Sequence, residues 1–146
     1  MIDINELRIN DVIFNKEDKV NCSVCIIDAH IGVNTVYVYD SQSEDEYSYP
    51  KDYYDPIPIT EELLEQLGFF KEEDSTSHDF EFKKWIDGYP ITVSDLSNTK
   101  DRDYHIHIDN RLYETILGAD IQYLHQLQNA IYFATKNELD VKNIIE

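Results

Sequence analysis

The sequence predicts an α+β protein: an N-terminal small curled β-sheet or barrel, a short connector helix, and an antiparallel sheet packed by a C-terminal helix. Three observations lead to this prediction. Short segments rich in Val, Ile and Tyr, with no helix between them, fill residues 1–57. A capped helix start follows, and residues 121–135 carry the longest helical period in the chain. We therefore divide the chain into a small β subdomain, 1–57, and an α+β subdomain, 58–146.

The N-terminal subdomain is predicted to consist of short strands separated by polar turns. Residues 20–27 and 33–39 are rich in Val, Ile and Tyr, and the polar segments 28–32 and 40–43 bound them. Strands this short and regular are typical of a small curled sheet or barrel.

A short connector helix is predicted over residues 60–67. Thr60 is a suitable N-cap, and Glu61 and Glu62 lie in the first turn, where the helix dipole favours negative charge. Gly68 supplies the left-handed residue that commonly ends a helix.

The second subdomain is predicted to contain a hairpin and a regular strand before its terminal helix. Asp87-Gly88, between two apolar segments, is the strongest hairpin signal in the chain. Residues 104–109 alternate strictly between apolar and polar side chains, which predicts a strand with one buried face. The apolar face carries Tyr104, Ile106 and Ile108, and the polar face carries His105, His107 and Asp109.

The terminal helix is predicted over residues 121–135, with Asp120 as its N-cap. Its apolar stripe consists of Ile121, Leu124, Leu127, Ile131 and Ala134, widened by Tyr123, Ala130 and Phe133. A face this wide must be buried, so we expect the helix to pack on the sheet. From Asn137 onward the chain is expected to fray as a short tail.

Net charge limits the classes of function. Thirty acidic residues against twelve basic ones leave a formal charge of −18. A field of this sign repels phosphate backbones and membrane surfaces and attracts cationic proteins. Nucleic-acid affinity is built mainly on Lys and Arg, so we expect no direct nucleic-acid binding and no membrane association. The charge serves either solubility alone or a positively charged protein partner.

The expected compartment is the cytoplasm. The sequence contains no apolar run of the roughly 18 residues that a transmembrane helix needs. Its N-terminus lacks the basic and apolar regions of a signal peptide. Two cysteines without an export signal are typical of a reducing environment.

Motifs for catalysis are missing from the sequence. It contains no GxSxG, no HExxH, no phosphate-binding glycine loop and no catalytic cysteine signature. Cys22-Ser-Val-Cys25 has the CxxC spacing, but it lies in a predicted strand, where side chains three positions apart point to opposite faces. No second ligand pair accompanies it, which favours two buried small side chains. We therefore predict a protein that is not an enzyme and needs no cofactor.

His105 and His107 are the best metal candidates. On a strand both imidazoles leave the same face about 7 Å apart, close enough to share a tetrahedral zinc with a third ligand. Asp103 and Asp109 flank them. Alternating polar residues on the outer face of an antiparallel strand give the same pattern. A metal-binding module or metal-dependent enzyme that uses His105 and His107 is therefore kept as an alternative.

An acidic stretch interleaved with tyrosines is the predicted partner-binding surface. Residues 42–79 contain twelve acids and two bases. Carboxylates mixed with tyrosines can occupy a positively charged nucleic-acid groove, and tyrosine is a frequent interface anchor. The predicted contact residues are Glu44, Asp45, Glu46, Tyr47, Tyr49, Asp52, Tyr53, Tyr54 and Asp55. The alternative is a solvated face without a partner.

Three segments carry a resemblance to a known family. They are Ile4–Ile9, Pro56–Phe69 and Tyr123–Thr135, of which the last contains the most specific block, His125-Gln-Leu-Gln-Asn129. Together they resemble a family of small, mostly uncharacterised proteins carried by phages, prophages and mobile elements. Two glycines usual in that family are replaced here by Asn10 and Asn137, and Asn tolerates the same turn conformations.

The resemblance implies no enzyme and no catalytic residues. It implies a phage-type protein similar in kind to the anti-CRISPR inhibitors, which bind a basic RNA-guided nuclease. We therefore expect an acidic inhibitor of a basic, nucleic-acid-handling host protein, namely a type VI-like CRISPR effector ribonucleoprotein in the bacterial cytoplasm. A structural or regulatory module without catalysis remains the other alternative.

Overall fold

Strands dominate the structure, a computed structural model that describes residues 2–3, 6–30, 33–40, 45–73, 80–95 and 104–145. Within these residues the chain forms two antiparallel five-stranded sheets. In chain order, a short helix follows the first sheet and a longer helix follows the second. The predicted α+β class is confirmed.

The first sheet is built from the N-terminal third of the chain. Its strands are β1 (Val12–Asn15), β2 (Val20–His30), β3 (Val33–Asp40), β4 (Asp45–Pro50) and β5 (Tyr54–Asp55). Their order is β4-β3-β2-β1-β5, and each neighbouring pair is antiparallel. Within the described residues no ladder joins β4 to β5. The structure therefore shows an open sheet, not the closed barrel that was the other architecture predicted for this region.

One apolar cluster lies beneath this sheet. Its buried members are Ile2, Leu7, Ile13, Cys22, Val24 and Tyr54. Asn10, just before β1, has a φ of 77°. Asn is one of the few residues that adopt this left-handed conformation readily, so it can hold the turn before β1.

The connector helix α1 spans Glu61–Gln66, as predicted. The Leu63 amide donates to Thr60 Oγ1 at 3.1 Å, which satisfies one of the free amides at the helix start. At the other end the Gly68 amide donates to the Glu65 carbonyl and the Phe69 amide to the Leu64 carbonyl, each at 3.0 Å. These two bonds define a Schellman motif, and Gly68 takes the required positive φ of 87°.

The second sheet is a meander of β6 (Phe70–Glu73), β7 (Phe80–Ile86), β8 (Tyr89–Asp95), β9 (Tyr104–Asp109) and β10 (Thr115–Ile121). Each strand pairs with the next in the chain. Asp87 and Gly88 form the two-residue turn between β7 and β8, with φ values of 50° and 80°. Positive φ at both positions is the signature of a type I′ turn, so the predicted hairpin is confirmed.

The terminal helix α2 spans Leu124–Thr135, so it begins three residues later than predicted. Asp120 and Ile121 belong to β10 and pair with His105 and Tyr104 of β9. The predicted N-cap at Asp120 is therefore wrong. Strand pairing satisfies the backbone of these residues, and tertiary contact overrides a local capping signal.

The apolar stripe of α2 is narrower than predicted. Leu127 and Ile131 are fully buried, whereas Phe133 is 74% exposed. The inward residues of the second sheet are buried with them, and these are Phe82, Ile91, Val93, Tyr104, Ile106 and Ile108. One face of the helix and one face of the sheet thus supply the core of this part of the chain.

The segment after α2 is ordered by contacts, so the expected fraying is wrong. Leu139 is buried, and a further short helix, α3, spans Lys142–Ile145. The side-chain amide of Asn21 on β2 donates to the Ile144 carbonyl at 3.2 Å. These contacts give the chain end both an apolar and a polar anchor.

Two compact units make up the chain, and both are discontinuous in sequence. The first contains Met1–Pro58, Tyr123–His125 and Val141–Glu146, and the second contains Ile59–Gln122 and Gln126–Asp140. A single division at residue 57, as predicted, does not describe the return of the chain end to the first unit. None of the described helices has the length and apolar character that crossing a membrane requires.

Replacing Gly68 with Ala should destabilise the protein by about 1 to 2 kcal/mol, because an L-residue is strained at this left-handed position. A Cβ there would also lie 3.2 Å from Lys84 Nζ. Gly118→Ala is the matched control: that glycine has no positive φ, and its added Cβ would meet His105 at an ordinary 3.6 Å. Urea unfolding of both variants measures the difference, and equal stability of the two would contradict the assignment.

Candidate functional site

The first part of the predicted contact segment forms an edge of the first sheet. Glu44 and the side chains of Asp45, Glu46, Tyr47 and Tyr49 lie outside the described residues. The backbone of these last four belongs to β4, which pairs with β3 and has no second neighbour among the described strands. The segment therefore offers an edge strand of sequence Asp-Glu-Tyr-Ser-Tyr-Pro.

The second part of the segment reaches the opposite edge of the same sheet. A 3-10 turn over Lys51–Tyr53 leads directly into β5, the other outermost strand. Asp52 is exposed, and Tyr53 is 37% exposed. The Asp55 carboxylate lies 3.5 Å from Lys16 Nζ, with both side chains more than a third exposed. An ion pair this open to water contributes little to stability, so Asp55 stays accessible to a competing cation.

Tyr54 is a correction to the predicted surface. Its side chain is completely buried in the cluster beneath the first sheet, so it cannot contact a partner. Tyr54 pairs with Asn15 and Asp55 with Phe14 on β1. Tyr53 ends the preceding 3-10 turn and stays partly exposed, whereas Tyr54 opens β5 and turns inward.

His105 and His107 lie where the sequence placed them, on the outward face of β9. His105 Nδ1 is 2.9 Å from an Asp120 carboxylate oxygen, and His107 Nε2 is 2.7 Å from Asp109 Oδ1. Asp103, the other flanking carboxylate, lies outside the described residues. The part of the chain that the structure describes contains no group of three His, Cys, Asp or Glu placed to hold a metal ion. Each imidazole is instead bonded to its own carboxylate.

The CxxC pair lies in strand β2, as expected from its surroundings. Cys22 is buried, and its Sγ lies 3.6 Å from the Ile13 carbonyl oxygen. The register of β2 against β3 shifts between Val24 and Ile26, so Cys25 is at a β-bulge; its side chain lies outside the described residues. Cys22 behaves as a small core residue.

His125 is a buried structural residue on α2. Its side chain is 1% exposed, its ring stacks on Tyr123, and Nε2 lies 3.1 Å from a Glu6 carboxylate oxygen. Within the described residues Nδ1 has no hydrogen-bond partner. Burial lowers the pKa of His125 below its ordinary value, although the bond to Glu6 acts in the opposite direction. Within the first unit, His125 is thus held both by packing and by a polar contact with the N-terminal segment.

Sequence reasoning missed an exposed aromatic surface on the second sheet. The rings of Phe70 and Trp85 stack with centroids 5.7 Å apart, and the side chains are 48% and 53% exposed. Tyr113, in the loop between β9 and β10, is 75% exposed. The alternation of side chains along β7 could have predicted it: if Phe82 faces the core, Trp85 must face outward.

Comparison of this chain with known protein families, curated proteins and solved structures finds no match in any of the three. The functional argument therefore rests on the chain's own charge and geometry.

The two adjacent tyrosines can be separated experimentally. Tyr54→Ala should cost about 3 to 5 kcal/mol of unfolding free energy, as for other large buried rings, whereas Tyr53→Ala should change it by less than about 0.5 kcal/mol. Urea unfolding followed by circular dichroism measures both. A tolerated Tyr54→Ala variant would refute the burial of that ring.

Stability should fall as the pH drops through the ordinary pKa of histidine. Because the folded pKa of His125 is lowered, the unfolded chain takes up its proton at a higher pH than the folded chain does. The contribution of His125 to stability is therefore complete above about pH 6.5 and is lost below it. His125→Gln should show a smaller decline between about pH 7.5 and 5.5 in urea unfolding. The exposed-site variant His105→Gln is the control, and an undiminished decline in His125→Gln would count against the assignment.

Proposed function

We propose that this protein is a non-enzymatic inhibitor that binds a basic, nucleic-acid-handling protein of a bacterial host. The target we favour is the RNA-guided nuclease of a type VI-like CRISPR system, met in the host cytoplasm. The observation that carries the proposal is the charge of −18 together with the position of the acidic segment 45–55, which includes both outermost strands of the first sheet.

The outermost strands of a sheet are suited to protein contact because a partner strand can extend the sheet at its edge. A partner strand can add to such an edge, and charged side chains on it discourage pairing with a second copy of the same chain. Acidic residues on β4 and on the turn that follows would therefore select a cationic partner over another copy of this protein.

Inhibition follows from competition for a positive groove. Nucleases hold their nucleic acids mainly through Lys and Arg contacts with phosphates. An acidic surface with exposed Asp52 and Tyr53 offers such a groove carboxylates and a ring in place of phosphates and bases. Complementary charge also speeds encounter, which favours a fast-acting inhibitor.

Cleavage of a labelled target RNA by a purified type VI effector ribonucleoprotein tests the proposal. Addition of this protein in increasing amounts should slow cleavage to a limit and form a complex visible by size-exclusion chromatography. Unchanged cleavage with no complex, at an excess over the effector, would refute inhibition of this target.

Charge reversal locates the contact. Glu44, Asp45 and Glu46 changed together to Lys should weaken effector binding by about tenfold or more, since close interface charges steer and select partners. Glu17, Glu138 and Asp140 changed together to Lys is the matched control, because these residues are exposed and lie outside the acidic stretch 42–79.

Salt provides a second readout for the same contact. Wild-type affinity should fall about tenfold or more between about 50 and 300 mM salt, and the Glu44, Asp45 and Glu46 reversal should flatten this dependence. Interferometry measures the affinity. An affinity that does not change with salt, or an equal loss of affinity in the control variant, would contradict a specific acidic contact.

A further inference from the structure

The outward face of the second sheet groups its exposed aromatic rings with small and charged residues. Phe70 on β6 pairs with Lys83 on β7, which pairs with Thr92 on β8. Trp85 pairs with Pro90 in the next outward position. Directly paired residues project from the same side of a sheet, so these side chains form one continuous surface.

A cavity of about 130 Å³ opens on this surface. Small-molecule and cofactor sites are usually larger, about 300 to 1,000 Å³. Its lining includes Lys83, Trp85, Pro90, Thr92, Asp109 and Tyr113. Its size suits the end of one long side chain. Its walls combine two aromatic rings and one carboxylate with the side chains of Lys83 and Lys84, and Lys84 Nζ donates to the Leu67 carbonyl.

Asp109 is held in a fixed orientation in this cavity. Its side chain is 19% exposed, and Oδ1 lies 2.7 Å from His107 Nε2 and accepts from Thr115 Oγ1 at 3.2 Å. Within the described residues its second oxygen, Oδ2, accepts no hydrogen bond. A positioned carboxylate beside exposed rings is a suitable receptor for a planar cation.

The charge of the face is negative although Lys83 belongs to it. Lys83 Nζ lies 2.8 Å from Glu72 and 3.9 Å from Glu81. The hydrogen bond to Glu72 raises the pKa of Lys83 above its ordinary value, so Lys83 stays protonated, and the two glutamates outnumber its single positive charge. The paired positions across the sheet add Asp109 and Asp120 to the same side, which leaves carboxylates in excess and disfavours phosphate.

We propose that this face is a second recognition surface, which binds an extended basic protein segment by accepting one arginine side chain between Trp85, Tyr113 and Asp109. Arginine fits better than lysine because its guanidinium plane stacks on aromatic rings and forks toward a carboxylate. The inference rests on the proposed function only in taking the partner to be a basic protein. Its residues lie outside the acidic segment of the first sheet.

A synthetic peptide tests the surface without the natural partner. The probe is the capped peptide Gly-Ser-Arg-Ser-Arg-Ser-Gly, with analogues in which lysine or uncharged citrulline replaces both arginines. Anisotropy of a fluorescein label gives Kd at about 150 mM salt, where distant charges are screened. The arginine peptide should bind at least about tenfold tighter than the citrulline peptide and about threefold tighter than the lysine peptide.

Variants tie that binding to the pocket. Trp85→Ala and Asp109→Asn should each weaken the arginine peptide by about fivefold or more. Tyr113 has a φ of 60°, so Tyr113→Asn removes the ring while keeping a residue that tolerates this conformation. Phe133→Ala is the control, because that ring is 74% exposed on α2 and should leave the Kd unchanged. Circular dichroism and urea unfolding verify that each variant is folded.

Several outcomes overturn the proposal. Equal affinity for arginine, lysine and citrulline peptides, or undiminished binding by folded Trp85→Ala and Tyr113→Asn, would show that the pocket is not the receptor. A dimer in sedimentation velocity that Trp85→Ala dissociates, with no peptide bound, would assign the face to self-association. The Glu44, Asp45 and Glu46 reversal separates the two hypotheses. It should leave peptide affinity within about twofold, whereas its effect on the effector tests the proposed function alone.

Discussion

Burial of one face of the second sheet is the constraint on which the rest of this structure depends. Phe82, Ile91, Ile106 and Ile108 have no exposed surface, and their removal from water is the main favourable term available to this unit. Because side chains alternate along a strand, fixing these residues inward fixes their neighbours outward. The exposure of Trp85 and the position of the two histidines on β9 are consequences of that one choice.

Polar groups are arranged to fit that burial. The Schellman motif at Gly68 satisfies the carbonyls that end α1, and Lys84 Nζ donates to the Leu67 carbonyl at 2.6 Å. His125 enters the core without charge, since burial penalises its protonated form. Glu6 supplies the bond that makes this burial tolerable. His125, which lies in the terminal helix, thus has a structural role in the core.

Charge has a different role, because it bears on association and not on the choice of fold. Repulsion among like charges at a net charge of −18 is compatible with a folded chain when the carboxylates are exposed, as those of Asp52 and Glu62 are. A large net charge opposes the aggregation that exposed aromatic rings favour. The acidic edge of the first sheet and the aromatic face of the second are the two surfaces on which the proposals above depend.

Local signals were sufficient to predict α1, the Asp87-Gly88 hairpin and the alternation of β9, because capping, turn conformation and side-chain period act within a few residues. The acidic segment stays a prediction as a contact surface; of its described side chains, Asp52, Tyr53 and Asp55 lie at the surface.

Tertiary structure alone decided features that depend on residues distant in the chain. Pairing with β9 extended β10 to Ile121 and delayed the start of α2. Pairing with β1 turned Tyr54 inward beside exposed Tyr53. The pocket at Asp109 is formed by residues from three strands and one loop. A sequence determines which faces are possible for each element, but only pairing between distant strands selects which face is buried, because the free energy is gained in those contacts.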